Sequence, residues 1–158
     1  MAEPLADRVI KSIGQAAELY HRLVIVAAIS GAGKTAALRE VQKRTAAPLI
    51  NVNFELSRCM LDLTERQRSL QLPRLLAEIV NASEADVVLL DNIEVLFDIS
   101  LKQDPLRLLQ GLSRNKTLVV TWNGSSDNEN LVYATPDHSE YKRYSSRDLI
   151  IVKPEAIA

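Results

Sequence analysis

The chain has 158 residues, of which 47% are hydrophobic, and this predicts a single globular domain over residues 1–158 with a buried core. Its 19 basic and 20 acidic side chains give a net charge of −1, which excludes a strongly basic nucleic-acid-binding protein but leaves a local basic patch open. The single cysteine, the lack of a signal-peptide pattern and the lack of an apolar run near ~18 residues indicate a cytoplasmic protein that does not enter a membrane.

The N-terminal segment, residues 1–22, has apolar side chains at helical spacing and predicts an amphipathic helix from about Leu5 to His21. The apolar run Leu23 to Ala27 then predicts a parallel strand that is covered on both faces. Helix-forming residues from Thr35 to Val41 predict a helix. The eight residues from Ala28 to Thr35 therefore connect a strand to a helix.

These eight residues, Ala-Ile-Ser-Gly-Ala-Gly-Lys-Thr, match the phosphate-binding loop pattern G-x-x-x-x-G-K-[ST], except that Ala28 stands at the first glycine position. In such a loop, backbone N–H groups and the helix dipole attract an anion. We expect Lys34 to bridge the β- and γ-phosphates of a nucleotide and the Thr35 hydroxyl to hold Mg²⁺. The alternative is a glycine-rich turn with an exposed lysine. The expected nucleotide contacts are Ser30, Gly31, Ala32, Gly33, Lys34, Thr35 and Ala36.

Four later segments have the apolar content or the alternation of strands: residues 49–54, 86–91, 117–122 and 149–152. Thr64 to Gln67 has the form of a capping box, and helices are predicted to begin at Pro73 and Pro105 because proline suits the first helical turn. The polar residues 123–146 are predicted to form a loop with a short helix. The alternation predicts an α/β fold, a three-layer αβα doubly wound parallel sheet of five strands, with its ligand at the carboxyl ends of the strands.

An acidic residue ends the third predicted strand, at Asp91. Its carboxylate would hold Mg²⁺ opposite Thr35. The next residue, Asn92, cannot take a proton, so Glu94, or Asp98 after it, is the candidate acid that activates the attacking water. A surface carboxylate is the equal alternative for Glu94.

Polar side chains also end the fourth predicted strand. Of Thr121 and Asn123, Asn123 is the preferred candidate to orient a water near the γ-phosphate. The alternative is a turn residue, because Asn-Gly at 123 and 124 is also a turn signal. Before the fifth predicted strand, Arg143 or Arg147 is placed to reach the site of a neighbouring subunit, where a guanidinium meets the γ-phosphate. A solvated basic face or docking patch is the alternative for both arginines. The interleaved tyrosines leave direct stacking on single-stranded nucleic acid open.

The order of these elements and the segment Leu89 to Phe97, Leu-Leu-Asp-Asn-Ile-Glu-Val-Leu-Phe, resemble a minimal AAA+-type P-loop NTPase core over residues 23–152. The resemblance implies a strand order of 5-1-4-3-2. It also implies an acid where Asn92 stands and a helical lid after the fifth strand, and we expect no such C-terminal lid domain in this chain.

The chain also resembles the BrxF family of small P-loop proteins from bacteriophage-exclusion (BREX) defence systems. This resemblance rests on the short length, the phosphate-binding loop, Leu-Asp-Asn-Ile-Glu at 90–94 and Ala-Thr-Pro-Asp-His-Ser-Glu-Tyr at 134–141. It implies an anti-phage role beside other BREX proteins, which include a methyltransferase, a phosphatase-like protein and a larger ATPase.

Two functions are consistent with these features. The first is a slow or partner-stimulated ATPase with Mg²⁺, completed by an arginine from a neighbour in a homo-oligomer. The second is a binding module in which ATP orders residues 123–146 for docking of other defence proteins and hydrolysis is slight or absent. The lack of an Asn-Lys-x-Asp motif favours ATP over GTP. Asn92 favours the module, whereas Glu94 and the basic tract favour the enzyme, and a scaffold without nucleotide binding is a third alternative.

Overall fold

The computed structural model of the chain describes residues 4–29 and 33–154, in which helices pack on both faces of a mostly parallel sheet. The helices are α1 (Leu5–Ala16), α2 (Lys34–Thr45), α3 (Val52–Met60), α4 (Glu65–Val80) and α5 (Pro105–Leu112). The strands are β1 (Leu23–Ala28), β2 (Leu49–Asn51), β3 (Val87–Asp91), β4 (Thr117–Ser126), β5 (Asn130–Tyr133), β6 (Lys142–Ser145) and β7 (Ile150–Val152). Two 3-10 turns, Glu94–Phe97 and Ile99–Leu101, follow β3. Among the helices of the described ranges, none has the length and apolar character to cross a membrane.

The parallel strands lie in the order β2-β3-β4-β1-β7. Alternate residues of β1 enter different cores: Leu23, Ile25 and Ala27 pack with α3, α4 and α5, whereas Val24 and Val26 pack with α1 and α2. Because both faces are covered, β1 is apolar along its whole length. The predicted α/β class with a mostly parallel sheet is confirmed, and the arrangement is consistent with three layers.

The predicted loop with a short helix over residues 123–146 is wrong, and within the described residues the sheet has seven strands rather than five. β4 continues through Asn123 to Ser126 and pairs with β5, which pairs with β6, both in antiparallel fashion. Gly124 does not turn the chain: a Cβ there would lie 1.8 Å from the carbonyl oxygen of Val132. The glycine therefore serves close strand approach, and the Trp122 indole N–H donates to the same carbonyl at 3.1 Å.

The second predicted strand and the first predicted helix are both too long. β2 ends at Asn51, whose side chain accepts a hydrogen bond from the N–H of Phe54 at 3.1 Å and so caps α3. The alternation of apolar and polar residues over 49–54 predicted a strand and gave no sign of this helix. The first helix ends at Ala16 rather than His21. The predicted capping box is confirmed, because Thr64 caps α4 and exchanges hydrogen bonds with Gln67 in its first turn. Pro73 lies inside α4 rather than at the start of a helix.

A side chain from outside α4 compensates for this internal proline. Pro73 has no N–H, so the carbonyl of Ser69 loses its normal helical donor. The Gln103 amide donates to that carbonyl at 2.8 Å and to the carbonyl of Leu101 at 2.6 Å. The segment before α5 is thereby joined to the middle of α4.

We expect Gln103→Ala to lower the free energy of unfolding by about 1 kcal/mol, because it removes the donor to Ser69. The loss should shrink in a Pro73→Ala background, where the restored N–H at position 73 serves the same carbonyl. Urea unfolding of the two single variants and the double variant measures this coupling. Equal losses in both backgrounds would contradict the proposed compensation.

Candidate functional site

A cavity of about 370 Å³ opens where α2 begins, beside the ends of β1 and β3. Asn123 of β4 is paired with Ala28, the last residue of β1, so it lies at the same level of the sheet. The cavity is lined by Gly33, Lys34, Thr35, Ala36, Arg39, Asp91, Asn92, Glu94, Thr121 and Asn123. Parallel sheets of this kind bind ligands at this edge.

The chain enters α2 through Gly33, which has a φ of +89°. This left-handed conformation strains other residues and is open to glycine. The buried Lys34 ammonium donates to the carbonyls of Ala28 at 2.9 Å and Ile29 at 2.8 Å. Burial lowers the pKa of Lys34 below its usual value, and the carboxylates of Asp91 and Glu94 oppose that shift. The lysine is thus held at the end of β1, within the lining of the cavity.

Asp91 ends β3 as a buried residue, 6% exposed, and both of its carboxylate oxygens are hydrogen-bonded. The Thr35 hydroxyl donates to one oxygen at 2.7 Å and the Thr121 hydroxyl donates to the other at 2.6 Å. The carboxylate therefore joins α2, β3 and β4.

The pair Thr35 and Asp91 fits a small hard cation, because Mg²⁺ takes oxygen ligands in octahedral geometry. Within residues 4–29 and 33–154 no group of three His, Cys, Asp or Glu side chains is placed to hold a metal. A hydroxyl and one carboxylate leave most of the six positions to water and to oxygens of a ligand, which is how Mg²⁺ is bound with phosphates.

Glu94 lies at the start of the 3-10 turn that follows β3, and two amide side chains donate to it. Asn123 donates to one carboxylate oxygen, and Asn53 of α3 donates to the other at 3.1 Å. The side-chain Oδ1 of Asn53 in turn accepts a hydrogen bond from the backbone N–H of Val95 at 2.7 Å. This network fixes the direction of the Glu94 carboxylate within the cavity lining.

Asn92 has a φ of +53°, in the left-handed region that asparagine tolerates better than most residues. Its carbonyl accepts a hydrogen bond from the N–H of Asn53 at 2.8 Å. The turn at Asn92 therefore brings the start of α3 against the segment that carries Glu94.

Most of the predicted site residues meet in this one cavity: Gly33, Lys34, Thr35, Ala36, Asp91, Glu94 and Asn123. The predicted contacts Ser30, Gly31 and Ala32 lie outside the described residues. Arg143 on β6 and Arg147 beyond it are exposed and do not line the cavity.

The tyrosines of the basic tract are only partly available for stacking. Tyr144 packs edge-on against Trp122, with ring centroids 6.0 Å apart, and its hydroxyl donates to Asp104 at 2.9 Å. This ring is therefore committed to the interior side of the hairpin and is not presented as a platform for a base.

The sequence did not predict Arg39 in the lining of the cavity or Asn53 in the hydrogen-bond network around Glu94. It placed Thr121 after Asn123 as a candidate to orient water. Arg39 occupies an ordinary position in a helix, and Asn53 fell within a predicted strand. The cap formed by Asn51 was the available signal, because an asparagine after a short apolar run is typical of a helix start.

We expect Thr121→Val to lower the free energy of unfolding by about 1–3 kcal/mol, because it leaves a buried carboxylate oxygen of Asp91 without its donor. Urea unfolding at pH 7 measures the change. Thr121→Ser keeps the hydroxyl and is the control. If the serine variant loses as much as the valine variant, the hydroxyl–carboxylate bond is not what stabilises this site.

Comparison with known proteins gives no family for this chain, since no protein-family model matches it and no curated protein matches it. What the cavity binds is therefore argued from its own residues.

Proposed function

We propose that the chain is a P-loop nucleotide-binding protein that takes ATP together with Mg²⁺ in the cavity at the start of α2. The observation that carries the proposal is the bond between Thr35 and Asp91, 56 residues apart in the sequence, beside the buried Lys34. These are the three side chains that a Mg²⁺-triphosphate site requires. A turn that served only to connect a strand and a helix would not need them together.

The strand order supports an AAA+-type core within this proposal. Counted from the β7 edge, the parallel strands lie in the order β7-β1-β4-β3-β2, which corresponds to 5-1-4-3-2 when the five predicted strands are numbered along the chain. The β5–β6 hairpin is an addition to that core.

Each residue has a distinct role in the proposed site. The Lys34 ammonium leaves the carbonyls of Ala28 and Ile29 for phosphate oxygens, which are stronger acceptors because they are charged. The Thr35 hydroxyl and the Asp91 carboxylate, which are now bonded to each other, would hold the metal. Mg²⁺, when bound, neutralises phosphate charge and orients the phosphate chain.

We propose Glu94 as the residue that activates water, with Asn123 as the residue that orients it. Glu94 has the only side-chain carboxylate besides Asp91 among the described residues that line the cavity. Two amide donors, from Asn53 and Asn123, hold the carboxylate in place within the cavity lining. These bonds also tie up the carboxylate oxygens, so slow hydrolysis is expected unless a partner releases one of them.

An arginine from a neighbouring copy remains part of the enzyme proposal. Arg143 and Arg147 are exposed on and after β6, away from the cavity of their own chain. A second copy that docks through this hairpin would present one of them to the neighbour's phosphate chain.

The second candidate function is a nucleotide-dependent docking module, acting with other proteins of a BREX-type defence system. The observation that favours it is the physical link from the cavity to the β5–β6 hairpin. Phe97 ends the turn that Glu94 begins, and its ring stacks on Tyr133 of β5 at 3.6 Å between centroids and 9° between planes. β4 runs directly from Asn123 into the same hairpin. A nucleotide bound in the cavity would then change the position or order of the β5–β6 hairpin.

We expect Lys34→Ala to weaken ATP binding at least ~100-fold, because a charge-assisted contact to phosphate is lost. Isothermal titration with Mg²⁺ and ATP measures the affinity. Lys43→Ala, in the exposed last turn of α2, is the control and should bind as the wild type does. Undiminished affinity in the Lys34 variant would rule out the phosphate-loop assignment.

We expect Glu94→Gln to lower ATP turnover at least ~100-fold while ATP affinity changes little, because a general base is removed but the phosphate contacts remain. Phosphate release at saturating ATP measures turnover. Asp98→Asn is the control, since Asp98 is an exposed acid outside the cavity lining and asparagine can keep its cap on Ser100.

The outcomes separate the two functions. Binding of ATP without turnover, unchanged by Glu94→Gln, would contradict the enzyme and favour the docking module. A rise in turnover per chain with protein concentration would favour completion of the site by a second copy.

A further inference from the structure

Arg39 places a positive charge in the lining of the cavity. It is the one arginine among the described residues of the lining, and it is exposed. The ion pairs formed within residues 4–29 and 33–154 do not include it, in contrast to those of Arg44, Arg58, Arg74 and Arg107.

The helix directs this side chain toward the cavity. Side chains in an α-helix lean toward its N-terminus and cover the turn before their own Cα. Arg39 follows Thr35 by four residues and Ala36 by three, which is about 6 Å along the helix axis and within the reach of an arginine. Its guanidinium therefore belongs over the first turn of α2, whose N–H groups attract anions.

Lys34 and Arg39 serve different parts of the same first turn. The Lys34 ammonium lies at the end of β1, against the carbonyls of Ala28 and Ile29. Arg39 lines the same cavity from the second turn of α2, about one helical turn beyond Thr35 and Ala36. Two cations separated in this way suit an extended chain of phosphates, and the planar fork of a guanidinium matches the non-bridging oxygens of a phosphate.

The balance of charge in the lining also supports a contact between Arg39 and an anion. Lys34 and Arg39 oppose Asp91 and Glu94, so the described lining is neutral overall. Without Arg39 the side chains of the described lining would carry one net negative charge, before the charge of Mg²⁺ is counted. Arg39 thus lowers the electrostatic repulsion between these side chains and a polyphosphate.

We propose that Arg39 binds the phosphate chain of the ligand at the end away from Lys34, next to Ala36, which is the α-phosphate end of a nucleoside triphosphate. This assignment rests on the proposed nucleotide function. It predicts a contact to phosphate, which an inorganic polyphosphate would share, and no contact to the base or ribose.

The test compares the wild type with Arg39→Gln, Lys43→Gln and Lys34→Ala. Lys43→Gln removes one positive charge from the last turn of the same helix, outside the cavity lining. Affinities for Mg²⁺-ATP and for Mg²⁺-tripolyphosphate are measured by isothermal titration. Thermal unfolding followed by circular dichroism checks that each variant is folded.

We expect Arg39→Gln to weaken both ligands about 10-fold or more relative to Lys43→Gln, as for a lost charged hydrogen bond. A loss for ATP with none for tripolyphosphate would overturn the assignment, because it would locate the contact at the base or ribose. The same affinities in Arg39→Gln and Lys43→Gln would also overturn it.

Failure of the underlying function has a different signature. If the wild type binds neither ligand and Lys34→Ala changes nothing, the nucleotide function fails and the role of Arg39 fails with it. If Lys34→Ala abolishes binding and Arg39→Gln leaves it intact, only the role of Arg39 is overturned.

Discussion

The buried carboxylate of Asp91 is the constraint on which the cavity depends. A carboxylate with little exposure is tolerated only when its oxygens are hydrogen-bonded. The chain satisfies it with one hydroxyl from α2, on Thr35, and one from β4, on Thr121. These bonds hold the first turn of α2 against the sheet. They also bring together hydroxyl and carboxylate oxygens of the kind that Mg²⁺ takes as ligands, so the side chains that stabilise the fold are the ones proposed to hold the metal.

A second layer of asparagines positions Glu94 and explains why an asparagine follows Asp91. Asn92 adopts a left-handed conformation that a glutamate would adopt only with strain. Its backbone carbonyl receives the N–H of Asn53, whose side chain then reaches Glu94 and Val95. Asn92 therefore has a conformational role. Glu94, two residues after Asn92, lines the cavity because the turn at Asn92 returns the chain to it.

The sequence was sufficient for features that depend on local order. Continuous apolar runs identified the central strands, and the glycine-lysine-threonine loop between a strand and a helix predicted the residues that line the cavity, from Gly33 to Ala36. Asp91 followed from its place at the end of β3, and Asn123 from its place after the predicted fourth strand, although β4 continues to Ser126. Each of these patterns is set by neighbours in the chain, and both faces of the sheet are covered, so burial reinforces what the local pattern favours.

Features that depend on distant partners escaped prediction. Asn-Gly is a turn signal by itself, but here Gly124 is needed because the carbonyl of Val132 lies against it. Pro73 is a helix-start signal, but Gln103 supplies the donor that the proline lacks and allows α4 to continue through it. In both cases a contact between two distant segments outweighs the local preference. The sequence of either segment by itself does not predict that contact.

Both proposed functions would use the β5–β6 hairpin as the surface that contacts another molecule. Burial, aided by the carboxylates of Glu94 and Glu140, raises the pKa of Tyr133 to about 12. The ring stacks on Phe97, so a shift of the turn that carries Glu94 must displace the hairpin or break a well-packed aromatic pair. Arg143 lies on the outer strand of the same hairpin, opposite Val132. A second copy that offers an arginine and a different protein that docks would both use this surface, so the ATPase and the docking module differ mainly in what the hairpin meets.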